Sequence, residues 1–184
     1  MILGLDVSTA ITGASILNKN NELVYCEAWK TQKKSLSFYD KLGVIHQSLK
    51  ALQAEFNITS VFVEEPLMGF KSGFSSAQTI SKLQRFNGAV CWDCYLSLGI
   101  TPELISAATA RKICGIKVPR GQKAKEVVLK FLLDNEPEFD IMYTVYGNPT
   151  KGSYDRADSI VVARAGLRQR IEEETNEEEK TNIH

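Results

Sequence analysis

No stretch of roughly 18 or more apolar residues occurs in the chain, so no membrane-spanning helix is expected. No charged leader precedes the first apolar run, residues 2–6 (ILGLD), which reads as a strand and not as a signal peptide. Net charge is also missing, with 22 basic residues against 22 acidic ones, so charge alone points to no polyanionic partner. Cysteines number four, and only Cys91 and Cys94 form a C-x-x-C. No second Cys or His pair at zinc spacing accompanies them, and they fall inside an apolar helical stretch. Zinc and thiol redox chemistry are therefore set aside, and the thiols read as small apolar side chains of a reducing, cytoplasmic protein. Internal repeats, an interdomain linker and a glycine-rich nucleotide motif beyond residue 100 are lacking too. What remains is one domain's worth of chain, 184 residues with 43% hydrophobic content.

The charge that is present is unevenly placed. Residues 171–184 carry six Glu and one Lys, a net −5, which leaves +5 on residues 1–170. With almost no apolar residues, the acidic stretch is expected to be a disordered tail behind a mildly basic body.

Three strands are expected first, at 2–6, 11–18 and 22–29, forming an antiparallel meander around the turn-prone Lys19-Asn20-Asn21. Phe38, Leu42, Ile45, Leu49, Leu52 and Phe56 then recur at spacings of four and three, the stripe of an amphipathic helix that Ser35 or Ser37 would cap. A strand follows at 59–64, stopped by Pro66, and then a glycine-containing loop to residue 75. Helices are expected at 76–98, 107–114, 122–134 and about 154–170, with a short strand at 101–106 and a loop over 135–152. This order implies an α/β fold: a mixed five-stranded sheet, three antiparallel strands and then parallel ones, with helices on both faces.

Two of these strands end in an acid. Asp6 closes the first and Glu64 the fourth, positions where a lone carboxylate is costly to bury. If those strands pair in parallel, both acids reach the same end of the sheet, where α/β sites usually form. Strand alternation allows only one of Glu64 and Glu65 to face that site, and Glu64 is preferred because it directly follows the apolar run. Asp155 and Asp158, spaced i, i+3, share one face at the start of the last helix. Taken singly, Asp155 reads as a helix cap and Asp6 as a turn residue. Together the four would repel unless cations lay between them. An oxygen-only donor set suits Mg²⁺, with Mn²⁺ substituting, and two such ions would clamp the two reacting oxygens of a phosphodiester.

Four pieces of sequence, in order, resemble the RuvC family of Holliday-junction resolvases, within the ribonuclease-H-like superfamily. GLDVSTAITGASI at 4–16 is similar to the family's first strand, turn and second strand. VFVEE at 61–65 resembles its second acid motif, ARK at 110–112 with QKAK at 122–125 its basic helical segment, and DRADSIVVA at 155–163 its closing helix. The resemblance covers about residues 1–170, and it implies a nuclease domain there with the acidic tail behind it. It implies a crossover-junction endonuclease: a homodimer that grips branched DNA and makes paired symmetric nicks, leaving 5′-phosphate ends. Asp6, Glu64, Asp155 and Asp158 would hold two Mg²⁺ ions, and Lys123 would stand near the reacting phosphate. Lys112, Lys117, Arg120 and Lys125 would take backbone phosphates. Phe70 and Phe74, beyond Leu67 in the loop where the family carries an aromatic wedge, would stack on unpaired bases. Dimerisation would use residues 76–98. The chain departs from the family in lacking a Pro-Gly after the first acid, in its longer loop after Glu64, in the 135–152 loop and in the acidic tail. Those departures suit a divergent member from a bacterial cell or a phage-infected host.

Rival readings are a sugar-kinase or actin-like ATPase, whose phosphate loop also begins near GLDVST, a ribonuclease-H-like nuclease acting on flaps or RNA–DNA hybrids, and a non-catalytic nucleic-acid-binding module on the same fold. The first needs two related domains and a second glycine motif, neither of which the chain offers, so no nucleotide cofactor is expected.

Overall fold

A computed structural model describes residues 1–33, 35–66 and 77–181. Its centre is a five-stranded sheet built from β1 (Ile2–Asp6), β2 (Ile11–Leu17), β3 (Leu23–Lys30), β4 (Ser60–Glu64) and β5 (Glu103–Ile105). The strands lie in the order β3-β2-β1-β4-β5. The first three are antiparallel, and β1–β4 and β4–β5 are parallel. Leu5 pairs with Val63, so Asp6 and Glu64 leave the carboxyl ends of adjacent strands.

Each face of the sheet has its own core. On one face Leu3, Leu5, Ala14, Ile16, Val61 and Val63 pack against α1 (Phe38–Glu55) and α2 (Ala77–Leu98). Ser37 caps α1 in a reciprocal box with Asp40, which settles the choice between Ser35 and Ser37. Cys91 and Cys94 lie within α2 as free thiols, and burial pushes both up.

The other face is covered by α3 (Ala107–Ile113), α4 (Ala124–Asn135) and above all α5 (Lys151–Thr181). Here the sheet is built from small residues. A Cβ at Gly4 would meet Ala163 N and Ser159 O at 2.5 Å, and one at Gly13 would meet the Asp155 carbonyl oxygen at 1.9 Å. From the helix side, a Cβ on Gly166 would strike the Phe62 ring at 2.2 Å. Ser15 and Ser159, both fully buried, satisfy each other by a hydroxyl–hydroxyl hydrogen bond. α5 thus lies directly on β1 and β2.

The last helix differs from expectation at both ends. It begins at Lys151, so Asp155 stands a full turn inside it and is no cap. It also runs on through Thr181, where a helix ending near residue 170 and a disordered tail were expected. Extending a helix already nucleated and packed needs no new nucleus, and Glu is a good helix former, so the stretch stays helical without a core of its own. Residues 172–176 are exposed. This end of α5 lies by Met1, Ile2 and Ser60, at the opposite end of the sheet from Asp6. The acidic stretch is thereby kept roughly 25–36 Å along the helix from Asp155.

The contact at Gly13 is with backbone atoms, which cannot swing aside. Gly13→Ala is therefore expected to lose about 1–3 kcal/mol of stability, read as a lowered urea midpoint at unchanged slope, whereas Gly43→Ala, inside α1 with open space around its Cβ position, should gain about 0.5–1 kcal/mol.

Candidate active site

Strand parity decides which acids meet. In β1 the residues facing α5 are Ile2, Gly4 and Asp6, while Leu3 and Leu5 face the other core. In β4 Phe62 faces α5, and Glu64 follows it on that face. Glu65 falls one residue later, its backbone N–H bonded to Ile105 O. From α2, the buried Asn87 side chain donates to Glu64 O at 3.0 Å and pins the end of the strand. Because Gly13 pairs with Asp6 and has no Cβ, the α5 backbone at Asp155 settles over it, close to the Asp6 end of β1. One turn on, Asp158 presents its carboxylate on the same helix face. Four acids from three distant segments thus gather at the carboxyl end of the parallel pair.

Their electrostatics show the cost. Burial, then the charges of Glu64 and Asp158, hold the Asp6 carboxyl well above the usual carboxylate range. Burial and then Asp158 push Glu64 up to about 7. Asp155 and Asp158 are raised by burial as well, with Lys125 pulling both back. The Lys125 ammonium bridges the pair, 3.5 Å from Asp155 Oδ1 and 3.4 Å from Asp158 Oδ2. Burial works against its charge, but Asp158, Asp6 and Asp155 outweigh this and raise its pKa. Arg111 also acts on Glu64 and Asp158 as a favourable charge.

Two of the basic residues, Lys123 and Lys125, stand differently from the sequence expectation. Lys123 is the residue just before α4, in extended backbone, and it turns outward to Glu126 at 3.1 Å. Two residues later the helix phase aims Lys125 at α5 instead. The ammonium among the acids is therefore Lys125, which the sequence reading had placed among backbone-phosphate contacts. Arg111, within the ARK segment, carried no signal in the sequence for this site, since only the fold sets its charge against Glu64 and Asp158. Lys112, Lys117 and Arg120 are exposed. Phe70 and Phe74, like Leu67, lie outside the described residues.

Two cavities flank the acids. One, of about 250 Å³, is lined by Ser8, Ala10, Ile11, Gln32, Lys125, Lys151, Tyr154 and Asp155. The other, of about 190 Å³, is lined by Asp6, Val7, Ser8, Glu64, Glu65, Pro66, Ile80 and Leu83. Among the described residues, no three His, Cys, Asp or Glu side chains stand as a ready ligand set for a metal. Asp155 and Asp158 are turned onto Lys125. The donors nonetheless fit a hard divalent cation in chemistry: they are all carboxylate oxygens, they repel one another, and each is raised by desolvation that a cation would offset.

No protein-family model matches the chain, and no curated protein matches its sequence. Solved structures do match in fold. The RuvC of T. thermophilus in complex with a Holliday junction substrate superposes with a TM-score of 0.64 at 16% identity, over 92% of this chain and 94% of that one. A second T. thermophilus RuvC structure gives 0.61 at 18% identity, over 92% and 95%. The yeast mitochondrial Holliday junction resolvase Ydc2 gives 0.60 at 14% identity, over 91% and 77%. The fold is therefore the RuvC type of the ribonuclease-H-like architecture, the mixed sheet with helices on both faces that the sequence implied.

A carboxyl held above its unfolded value binds its extra proton in the folded state. For Glu64 the window runs from 4.5 to about 7. Its contribution is fully present below that window and is lost as pH rises through it. Without divalent ions, wild-type stability should fall across this window by up to about 3 kcal/mol, and Glu64→Gln should flatten the fall in urea titrations run between pH 5 and 8.

Proposed function

We propose that the chain is a metal-dependent endonuclease that cuts four-way DNA junctions, a divergent relative of the RuvC resolvases. The observation that carries this reading is the convergence of Asp6, Glu64, Asp155 and Asp158 on a fold shared with a junction-bound resolvase. These four would hold Mg²⁺, or Mn²⁺ in its place, as two ions per site. Bound there, the ions would supply an activated water and charge neutralisation at the leaving oxygen. The charges of Glu64, Asp158 and Asp155 all act on Asp6, so it would be a ligand shared by the whole set.

The chain's own cations do the rest. Lys125 lies between the acids and the larger cavity. There it can meet a non-bridging phosphate oxygen and stabilise the charge that grows in the transition state. That role replaces the one expected of Lys123. Lys112, Lys117 and Arg120 would grip flanking phosphates, which makes affinity salt-dependent. Residues 1–170 would form the nuclease unit, with 171–184 as an acidic extension. Four free thiols suit the cytoplasm of a bacterial or phage-infected cell. Among the described residues, no helix is long and apolar enough to cross a membrane.

Paired nicks need two sites, and α2 offers a surface for a homodimer. Phe86 and Val90 are consumed by the core, and Ile80 and Leu83 line the smaller cavity. Trp92, 61% exposed, stacks on Tyr95 beside the equally exposed Leu96. Such a patch is costly to leave in water.

A synthetic four-way junction should be cut symmetrically with Mg²⁺ and left intact with EDTA. Asp6→Asn and Lys125→Met should each slow cutting by on the order of a hundredfold or more, while Lys123→Met costs far less. Flap and RNA–DNA hybrid substrates, run in parallel, test the rival specificities, and preferential cutting of either would replace the junction reading. Trp92→Glu is expected to convert a dimer to a monomer in light scattering and to abolish paired nicking. A wild-type protein that is monomeric at micromolar concentration would sink the dimer.

A further inference from the structure

The segment before α5 was expected to be a plain loop, and it is a braced hairpin. Thr144 N donates to Asn148 O at 2.8 Å, Gly147 N to Thr144 O at 3.0 Å and Thr150 N to Met142 O at 2.8 Å. Tyr143 and Pro149 form a β-bridge. Gly147 has φ 75°, the left-handed residue that lets a tight turn rejoin its strands.

Its tip is apolar and bare. Val145 is 94% exposed, Tyr146 87% and Tyr143 60%. These side chains contribute nothing to the core, yet the hairpin that carries them is braced by backbone hydrogen bonds on either side of the tip. Large apolar groups held rigidly in water point to a ligand.

The base of the hairpin fixes where that ligand lies. Ser153 Oγ donates to Met142 O at 3.1 Å and bonds Thr150 Oγ1 at 3.0 Å. Arg156, buried and stacked on Phe139, donates to Asp140 Oδ1 at 2.7 Å. Ser153 and Arg156 flank Asp155 in the first turns of α5. The tip is therefore held in a fixed relation to Asp155 and Asp158. Neither phosphate-seeking charge nor a zinc-type donor lies at the tip. It offers phenol rings and a branched aliphatic group, the chemistry that receives the face of a base.

We propose that the tip formed by Tyr143, Val145 and Tyr146 is a nucleobase-stacking site, taking an unstacked base of the branched DNA close to the cut strand. This rests on the nuclease reading and adds to it a contact outside the loop that follows Glu64.

The test uses the full chain carrying Asp6→Asn, so that binding is read without cutting. The probe is a four-way junction with 2-aminopurine at single positions within a few nucleotides of the cut bond. At least one position should be quenched on binding. Adding Tyr143→Ala, Val145→Ser and Tyr146→Ala should abolish that quench and weaken junction binding roughly tenfold or more, with unbranched duplex binding and melting temperature unchanged. Tyr143→Phe with Tyr146→Phe should keep both signals. Quench and affinity identical in the tip variant would overturn the proposal alone, leaving cutting by the wild type to stand. An equal loss on unbranched duplex would overturn it as well. A wild-type protein that neither prefers nor cuts branched DNA would remove the nuclease reading and the tip site with it.

Discussion

The close seating of α5 on the sheet is the constraint from which the rest follows. A helix normally stands off a sheet by the thickness of two side-chain layers. Here Gly4 and Gly13 remove one of those layers, and Ser159, Ala163 and Gly166 thin the other. The contacts that a Cβ would make are with helix backbone, so the fit has no slack. Seated this deeply, α5 brings Asp155 over the strand pair Asp6–Gly13. A layer of larger residues would lift α5 and carry Asp155 and Asp158 away from Asp6 and Glu64. The packing and the site are in that sense the same feature.

The gathering of acids works against stability. Each of the four carboxyls is raised mainly by burial, and mutual repulsion raises Asp6, Glu64 and Asp158 further. A sequence selected for stability alone would place apolar or paired groups there. Lys125 and Arg111 relieve part of the repulsion, and the seating of α5 holds the rest in place. The ammonium of Lys125 also engages one oxygen each of Asp155 and Asp158. On the proposed function, a divalent ion and Lys125 would make the same demand on these oxygens, and the lysine would give way toward the neighbouring cavity as the acids closed on an ion. That cavity, lined also by Lys151 and Tyr154, gives it room.

Much of this was legible in the sequence because it depends on periods of two and on chain order. Three β-type runs before the first helix imply the antiparallel half of the sheet. An acid directly after an apolar run marks the end of β1 and of β4, and since alternation lets only one of Glu64 and Glu65 face the site, that same position favours Glu64. What was not legible depends on phase and distance. Lys123 and Lys125 differ only in where α4 begins, since a residue just before a helix and one just inside it point in different directions. Arg111 acquires a role only when α3 is set against β4. The length of α5 was misjudged because low apolar content was read as disorder, when the segment needed only to continue an existing helix. The hairpin at 142–149 was hidden by its own composition: exposed Tyr and Val without alternation look like loop filler.

The geometry of α5 also orders the molecule's charges. One rod carries two of the four acids in its second turn and Glu172–Glu174 after its last core contacts. On the proposed function, the exposed Lys112, Lys117 and Arg120 would form a basic rim that draws phosphate toward the acids. An acidic stretch on that rim would repel the same phosphate. Placed beyond the far end of the sheet, by Met1 and Ser60, it is separated from the rim by several screening lengths at physiological salt. The zero net charge of the chain therefore hides an uneven layout: Glu172–Glu174 lie toward one end of α5, and the four acids with Lys125 gather at the other. The rigidity of α5 maintains that separation. If the helix ended near residue 170, a free tail of the same charge could reach round to the rim, so the persistence of helix through Thr181 bears directly on whether this surface stays open to a polyanion.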